Sequence, residues 1–380
     1  MHIAKKLFCR CFQGVFRLAI PVLPYREGLI LEKVEDIPAC LRKKKIGKVL
    51  IVTDGFLHIS GMLEPLKRVL KAAGIGYAVY DEVTPNPTIL NVELARERYL
   101  EEGCRGLIGF GGGSAIDSAK AIAAGAVYEG DFWDFYMGKP VDKALPVATI
   151  LTIAAAGSEG SPDTVITKEE GMLKRGASGE GLRPKFSILN PELTQTLPAF
   201  QTAAGVTDIM AHLFERYFTT TKEVEVTDRV IEALLLTMIH EAPRVIEDPN
   251  NYEARANIMW AGMMAHNNCC GVGRVQDWAS HDIEHELSAF YDCAHGAGLA
   301  VVMPAWMEFV YKHDVNRFVQ MATRVFGCEL DEANPENTAK AGIKAFRQFL
   351  HDIGMPINFA ELGAKEEDIP KLFTAFERLE

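Results

Sequence analysis

One carboxylate and three imidazoles, those of Asp208, His212, His281 and His295, are the side chains best suited to chemistry in this 380-residue chain. Together they offer oxygen and nitrogen ligands to a divalent metal. Asp208 and His212 lie in GVTDIMAHLFERYF, where their i, i+4 spacing brings both to one face of a helix, a turn apart. His281 and His295 lie in SHDIEHELSAFYDCAHGAGL, in which His285, one helical turn after His281, is a further possible donor. Such ligands suit Fe(II), Zn or a similar first-row ion, and a catalytic metal must keep a position open for substrate. A lone Asp and His on a helix are more often surface groups. The presence of four such residues beside a separate glycine-rich loop shifts the balance toward a site.

That loop is in GLIGFGGGSAIDSAKAIAAGA. A short apolar run, 106–110, meets Gly111, Gly112, Gly113 and Ser114, and a helical pattern follows at once. Glycines let the backbone approach a pyrophosphate closely, and the first free N–H groups of the helix face its negative charge. GGGS is not the GxGxxG fingerprint, so taken alone it also fits a tight strand-to-helix turn. Upstream, GKVLIVTDGF predicts a buried strand over 49–53 ending at Asp54. An acid at the carboxyl end of a strand can accept hydrogen bonds from ribose hydroxyls and repel a 2′-phosphate; a solvated loop Asp fits the local sequence equally well.

The elements that must position these groups fall into two halves. Residues 28–198 alternate apolar strands with helical stretches over 64–73 and 89–102 and after GGGS. This pattern predicts a mostly parallel sheet covered by helices, a Rossmann-like α/β dinucleotide-binding domain with ligands at the carboxyl ends of its strands. Residues 199–380 turn helical, with long stretches over 226–245 and 252–267, and predict an all-α metal-binding domain. Metal residues in one half and the glycine loop in the other place catalysis in the cleft between them. Residues 1–27 form a separate segment in which basic residues interrupt the apolar ones and a small-residue cleavage site is lacking. An amphipathic helix packed on the body is expected there, in preference to a signal peptide or a spanning helix, with interfacial membrane association as the alternative.

A net charge of −11 with no basic stripe argues against nucleic acid and anionic lipid as partners. Eight cysteines without CxxC pairs suggest a reducing, cytoplasmic setting, with Cys269 and Cys270 expected in the core of a helix.

Six ordered motifs then carry a resemblance over most of the chain: VTPNP (83–87), GFGGGSAIDSAK (109–120), LTIAAAGSE (151–159), RPKFSILNPELTQTLP (183–198), GVTDIMAHLFERYF (205–218) and DWASHDIEHELSAFYDCAHGAGLAVVMPAWM (277–307). The chain resembles the iron-containing alcohol dehydrogenase family, in particular its butanol-dehydrogenase-like branch, whose fold is shared with dehydroquinate synthase. The resemblance implies Asp208, His212, His281 and His295 as metal ligands and His285 as the histidine beside nicotinamide and substrate. It implies Asp54 as the acid that selects NAD, Asn86 in the PNP turn as a cofactor contact, and Gly112, Gly113 and Ser114 as the pyrophosphate loop, with Asp117 on the first turn of its helix. Thr152 and Ser161 match hydroxyls near the phosphates and nicotinamide, and Lys174 matches the ribose-side lysine, although its polar, glycine-rich surroundings fit an exposed loop lysine equally well.

Two departures stand out. Ala154, Ala155 and Ala156 precede GSE where the family carries a threonine, so a phosphate-facing hydroxyl is absent. One such hydrogen bond is worth about 0.5–1.5 kcal/mol, roughly up to tenfold in affinity. The chain also ends soon after AKEEDIPKLFTAFERLE, short of the family's closing helix, which implies a cost to stability more than to chemistry.

The activity implied is an NAD(P)H-dependent alcohol dehydrogenase or aldehyde reductase. Its metal, Fe2+ before Zn2+, would act as a Lewis acid on a short-chain aldehyde such as butanal, with NADH favoured over NADPH and a homodimer as the assembly. A dehydroquinate-synthase-like lyase would need basic residues to grip a phosphorylated acid, and the acidic, apolar DWASHDIEHELSAFYDCAHGAG does not supply them. A non-catalytic metal-binding protein on the same fold would have lost metal or cofactor groups that are intact here.

Overall fold

The structure is a computed structural model that describes residues 28–376; the amphipathic helix expected near the N-terminus lies outside them. In chain order the first half contains β1 (Leu29–Leu31), α1 (Ile37–Lys43), β2 (Lys48–Val52), α2 (Gly55–Ile59), α3 (Glu64–Ala72), β3 (Gly76–Tyr80), α4 (Ile89–Glu101), β4 (Gly106–Gly111), α5 (Gly113–Gly125), β5 (Val147–Leu151), β6 (Asp163–Lys168), β7 (Leu173–Ser178) and β8 (Phe186–Ile188). Six of these strands form one sheet, in the order β1-β8-β5-β4-β2-β3, parallel throughout. The apolar runs VLIV, LIGF and VATIL are buried along their whole length, as expected of strands covered on both faces.

After β3 the chain crosses back to the far side of β2, so β2 and β4 flank the point where strand order reverses. The carboxyl ends of such strands open a crevice for ligands, and Asp54 and the glycine loop both sit there. Helix α5 is rich in alanine because it lies almost on the sheet: a Cβ on Gly109 of β4 would come within 2.9 Å of Ile116 Cα.

Sequence periodicity marks β2, α3, α4 and β4 to within one or two residues, and caps explain the starts of two of the helices. Thr88 Oγ1 accepts from the Asn91 amide at the start of α4, and Asp54 Oδ1 accepts from Leu57 N at 2.9 Å at the start of α2. The antiparallel pair β6–β7 is an addition to the expected pattern; it pairs Asp163 with Ser178 and Lys168 with Leu173.

The second half is helical: α6 (Ala199–Tyr217), α7 (Glu225–Glu247), α8 (Tyr252–His266), α9 (Ala279–Tyr291), α10 (His295–Val310), α11 (Val315–Arg324), α12 (Pro335–Asp352), α13 (Phe359–Leu362) and α14 (Ile369–Phe376). Its core is built round α6, in which every residue from Thr202 to Tyr217 is buried. A helix buried on all sides must pair its charged groups within the protein. Cys269 and Cys270 lie in the core region but in a turn beyond α8, which ends at His266 under an asparagine C-cap; the expectation that they are helical is corrected.

Candidate metal centre and dinucleotide site

Helix α6 carries Asp208 and His212, α9 carries His281 and His285, and His295 is the first residue of α10. The break between α9 and α10 begins at Asp292, whose left-handed backbone (φ 49°) ends α9 and turns the chain back toward α6. Glycines make the close approach possible. A Cβ on Gly296 would overlap the carbonyl of Ala204 on α6, and one on Gly298 would lie 2.6 Å from Glu284 Oε1.

Three imidazole nitrogens converge on Asp208 Oδ1: His212 Nδ1 at 3.2 Å, His281 Nε2 at 3.6 Å and His295 Nε2 at 3.8 Å. Even so, Asp208 Oδ1 is buried and accepts no hydrogen bond, and His212 Nδ1 and His281 Nε2 are likewise buried without a hydrogen-bond partner. Buried polar atoms left unpaired are costly, and their convergence here fits a cation that would ligate them together. Asp208, His281 and His295 each bring one donor atom to within 4.8 Å of the others, and Glu284, His285 and His295 do the same on the adjoining side. His212 stands outside that triplet but against it, its ring 4.6 Å from that of His281.

Two glutamates that composition and spacing did not single out complete the arrangement. His281 Nδ1 lies 2.5 Å from Glu215 Oε2, whose other oxygen accepts the His281 amide at 3.0 Å. His295 Nδ1 contacts Glu284 Oε2. A carboxylate on the far nitrogen fixes the tautomer and leaves Nε2 free toward a metal.

Burial pushes the Asp208 carboxyl up, but His295 and His281 outweigh it and hold the group below the ordinary aspartate range. Burial likewise raises Glu284, and His295 and Lys174 bring it below its ordinary value. Burial depresses His281, yet Glu215 and Asp208 carry it up to about 10. His212 is driven well below the histidine range by burial, then by His266 and His281. The same holds for His285, by burial first and Lys174 next, which keeps this half-buried imidazole neutral, 5.7 Å from the ring of His295.

On the sheet side, α5 starts at Gly113 behind Gly112, with no side chain capping its first turn. Gly113, Ser114 and the residues after them therefore present uncapped N–H groups at the carboxyl end of β4, a ready anion cradle. A Cβ on Gly112 would overlap Ile153 Cγ2, and a Cβ on Gly113 would sit 3.5 Å from that of Ala156. Thr152 N donates to Gly111 O at 3.0 Å, tying this second loop to the first. Ala154 O in turn abuts Gly205 on α6, one turn before Asp208, so a single loop touches both the cradle and the metal helix. Asp54 Oδ2 lies 4.0 Å from where a Gly111 Cβ would be, facing the cradle while Oδ1 caps α2.

The remaining expected cofactor residues divide into two groups. Lys174 is a buried residue of β7 and not an exposed loop lysine. Its Nζ donates to Asn86 Oδ1 at 3.0 Å and to Ser288 Oγ at 2.8 Å, and lies 3.8 Å from Glu284 Oε2. Asn86, at φ 51°, also donates to Asp292 Oδ1 at 2.9 Å, so both residues bridge the halves beside His285. Asp117 and Ser161 turn inward: the Asp117 carboxylate accepts from Ser158 Oγ and from Val165 N, and Ser161 Oγ lies 3.4 Å from the buried Lys120 Nζ.

The chain is similar to known proteins along most of its length. The model of iron-containing alcohol dehydrogenases matches residues 30–191, and that of the C-terminal part of the Fe-containing alcohol dehydrogenase family matches residues 202–377. NADH-dependent butanol dehydrogenase B of Clostridium acetobutylicum is 40% identical over 86% of this chain and 85% of its own length. The NADPH-dependent aldehyde reductase YqhD of Escherichia coli is 35% identical over 95% and 92%. The crystal structure of NADH-dependent butanol dehydrogenase A from Thermotoga maritima superposes with a TM-score of 0.90 at 38% identity, covering 93% of this chain and 90% of that one. With both halves matched in order, and relatives such as these up to 40% identical over most of its length, the chain belongs to the iron-containing alcohol dehydrogenase family.

Proposed function

We propose that this chain is an alcohol dehydrogenase working as an NADH-preferring reductase of short-chain aldehydes, butanal among them. The observation that carries the reading is the convergence of three imidazoles on the unpaired, buried oxygen of Asp208. Asp208, His212, His281 and His295 hold the metal, Fe2+ in preference to Zn2+. Bound there, a divalent ion supplies Lewis acidity to the aldehyde or alkoxide oxygen.

The chain's own residues do the rest. The N–H groups of Gly113 and Ser114, behind Gly112, bind the pyrophosphate; Asp54 accepts from the adenosine ribose; Asn86 and Lys174 orient the nicotinamide side; Thr152 lines the loop between them. His285 faces the substrate, which it would steer, and as a neutral imidazole it would relay a proton to the forming alcohol, accepting one from water at one ring nitrogen as it donates from the other. Asp117 and Ser161 support the cofactor by holding the loops that line it. The cleft between the two halves would position the hydride donor against the carbonyl carbon, and such positioning can be worth more than any single contact.

The reading includes a cytoplasmic homodimer. The cytoplasmic part of that reading draws support from Cys40, Cys104, Cys269, Cys270, Cys293 and Cys328 all being free thiols. Among the described residues, no helix is long and apolar enough to cross a membrane.

The test is NADH oxidation with butanal by the purified protein, together with its metal content. Turnover that a chelator abolishes and Fe2+ restores, with higher kcat/KM for NADH than for NADPH, is the expected result. Full turnover in protein free of metal, or none with any short aldehyde and either cofactor, overturns it.

A further inference from the structure

We propose that Asp163 and His266 form a latch between the two halves that positions the ring of His212 for metal binding and makes metal retention respond to the dinucleotide. The proposal rests on the metal-site reading above. Neither residue is assigned a role by that reading.

The latch begins at a contact only glycine permits. Loop 157–163 docks on the last turn of α8: a Cβ on Gly157, at φ 62°, would meet His266 Cβ at 2.7 Å and Gly262 O at 2.8 Å, and one on Gly160 would meet Met263 Cγ at 2.8 Å. At the end of this loop Asp163, the first residue of β6, lies with Oδ2 3.2 Å from His266 Nε2. The other ring nitrogen, His266 Nδ1, is 3.1 Å from Arg216 Nη2. Arginine can only donate, so Nδ1 accepts and Nε2 carries the proton that Asp163 receives. Arg216 is fixed as well, donating to His212 O at 2.8 Å and lying over the Trp278 ring at 4.7 Å.

His266 thereby becomes a wall for a metal ligand. Its ring lies 4.3 Å from that of His212, tilted by 47°, while Trp278 stands 5.8 Å away and His281 4.6 Å away. His281 and His295 are each oriented by a carboxylate, Glu215 and Glu284. The ring of His212 is oriented by the rings around it, so the residue that anchors His266 governs where His212 points.

The other end of the loop reaches the cofactor helix. Lys120 Nζ, on α5, donates to the carbonyls of Ser158 at 2.6 Å, Ser161 at 3.0 Å and Asp163 at 2.7 Å. A pyrophosphate at the N-terminus of α5 therefore steadies Lys120, the loop, Asp163, His266 and the His212 ring as one connected set. Coupling of this kind requires no change of fold, only a steadier loop.

The experiment follows release of metal to excess chelator from the loaded enzyme, with and without NADH, in the wild type, Asp163→Ala, Asp163→Asn and His266→Gln. Asp163→Ala leaves the Lys120 contacts intact, since these go to backbone carbonyls. It should release metal roughly tenfold faster, the scale of losing a group that orients a ligand; because the Asp163 carboxylate also serves Ser178, the melting temperature of the metal-free protein is read beside that of His266→Gln, which leaves the Ser178 contact in place. NADH should slow release in the wild type and not in Asp163→Ala. Asp163→Asn, whose amide oxygen still accepts from Nε2–H, should recover most of both effects. The double variant Asp163→Ala with His266→Gln should be no worse than the poorer single one. Wild-type release rates in both Asp163→Ala and His266→Gln, with the NADH effect intact, would overturn the latch while leaving the metal site standing. A wild type that holds no metal would overturn the site reading and the latch with it.

Discussion

The metal cluster and the glycine loop solve the problem of holding a charged ligand in opposite ways. On the helical side the work is done by side chains on three different helices, each answered by another: Asp208 by His281 and His295, His281 by Glu215, His295 by Glu284. On the sheet side it is done by backbone, the uncapped first turn of α5, made reachable because Gly112 has no side chain. A site made of side chains is destroyed by removing atoms, and a site made of backbone by adding them. Substitutions that remove or add a single group therefore separate the two halves.

The largest effect belongs to the metal side. His281→Ala or His295→Ala should lose bound metal and lower turnover on the order of a thousandfold or more, because the strongest stabiliser of the developing alkoxide goes with the ion. Binding of NADH, read by fluorescence titration, should change little. His285→Ala should keep its metal and lose rate, which metal analysis of both variants distinguishes. Full metal occupancy and normal turnover in His281→Ala would refute the ligand set.

The second contrast is in how buried acids are treated. Asp208 and Glu284 have cationic neighbours that keep them ionised, whereas Glu159, behind the cofactor loop, is pushed up to about 7 by burial, with Lys120 offsetting only part of it. The folded protein thus holds a proton on Glu159 that the unfolded chain releases near pH 4.5. The stability this contributes is complete below that point and is lost as pH rises toward 7, by about 3 kcal/mol in all. Glu159→Gln should remove that slope, so that above pH 7 it is the more stable protein in urea denaturation; parallel pH profiles for the two would refute the assignment.

The same contrast governs what could be seen in the sequence. The parallel sheet and the helical half were legible because VLIV, LIGF and the long amphipathic stretches carry their periods locally. Asp208, His212, His281 and His295 were visible by type. Glu215 was visible only as another residue on the Asp208 face, seven positions on, and its contact with His281 crosses 66 residues of chain. Lys174 was obscure because LKRGAS lacks apolar alternation; β7 exists through its pairing with β6 and its packing on α9, both tertiary. Asp117 sits in the loop motif, but nothing local says that its carboxylate turns toward Ser158 and Val165. His266 gave no signal, since its partner Asp163 lies in the other half.

Adding one methyl group tests the backbone half directly. Gly112→Ala would overlap Ile153 Cγ2, so the loop after β5 must shift, at a cost of about 1–3 kcal/mol in stability. The cradle should lose most of its affinity for NADH while the metal content stays at the wild-type level. Unimpaired NADH binding in this variant would mean that the pyrophosphate lies elsewhere.

Asp54 mixes the two kinds of site, because one carboxylate oxygen caps α2 and the other faces the cradle. Asp54→Ser removes the charge that repels a 2′-phosphate and should raise kcat/KM for NADPH relative to NADH by roughly tenfold. Asp54→Asn sharpens the test: like serine it can keep an oxygen on Leu57 N, and it stays closer to aspartate in size while removing the charge. If both variants move cofactor preference together, charge sets it. If neither shifts it, and the wild type already prefers NADPH, the assignment of Asp54 fails.

The smallest effect tests whether side chains can improve a backbone site. Ala156 faces the first residue of α5, its Cβ 3.5 Å from the Cβ position of Gly113. It stands directly before GSE, at the position where the family resemblance places a threonine. Replacing this half-buried residue with threonine would bring a hydroxyl toward the N–H groups that would receive the phosphate. One added hydrogen bond should tighten NADH by about 0.5–1.5 kcal/mol, at most roughly tenfold in Kd. The gain should appear in KM for NADH and leave kcat with butanal alone, because the contact is made equally before and during hydride transfer. A fall in kcat with no change in KM would show that residue 156 faces the reacting end of the cofactor and not its phosphates, which would move the whole loop assignment toward the metal.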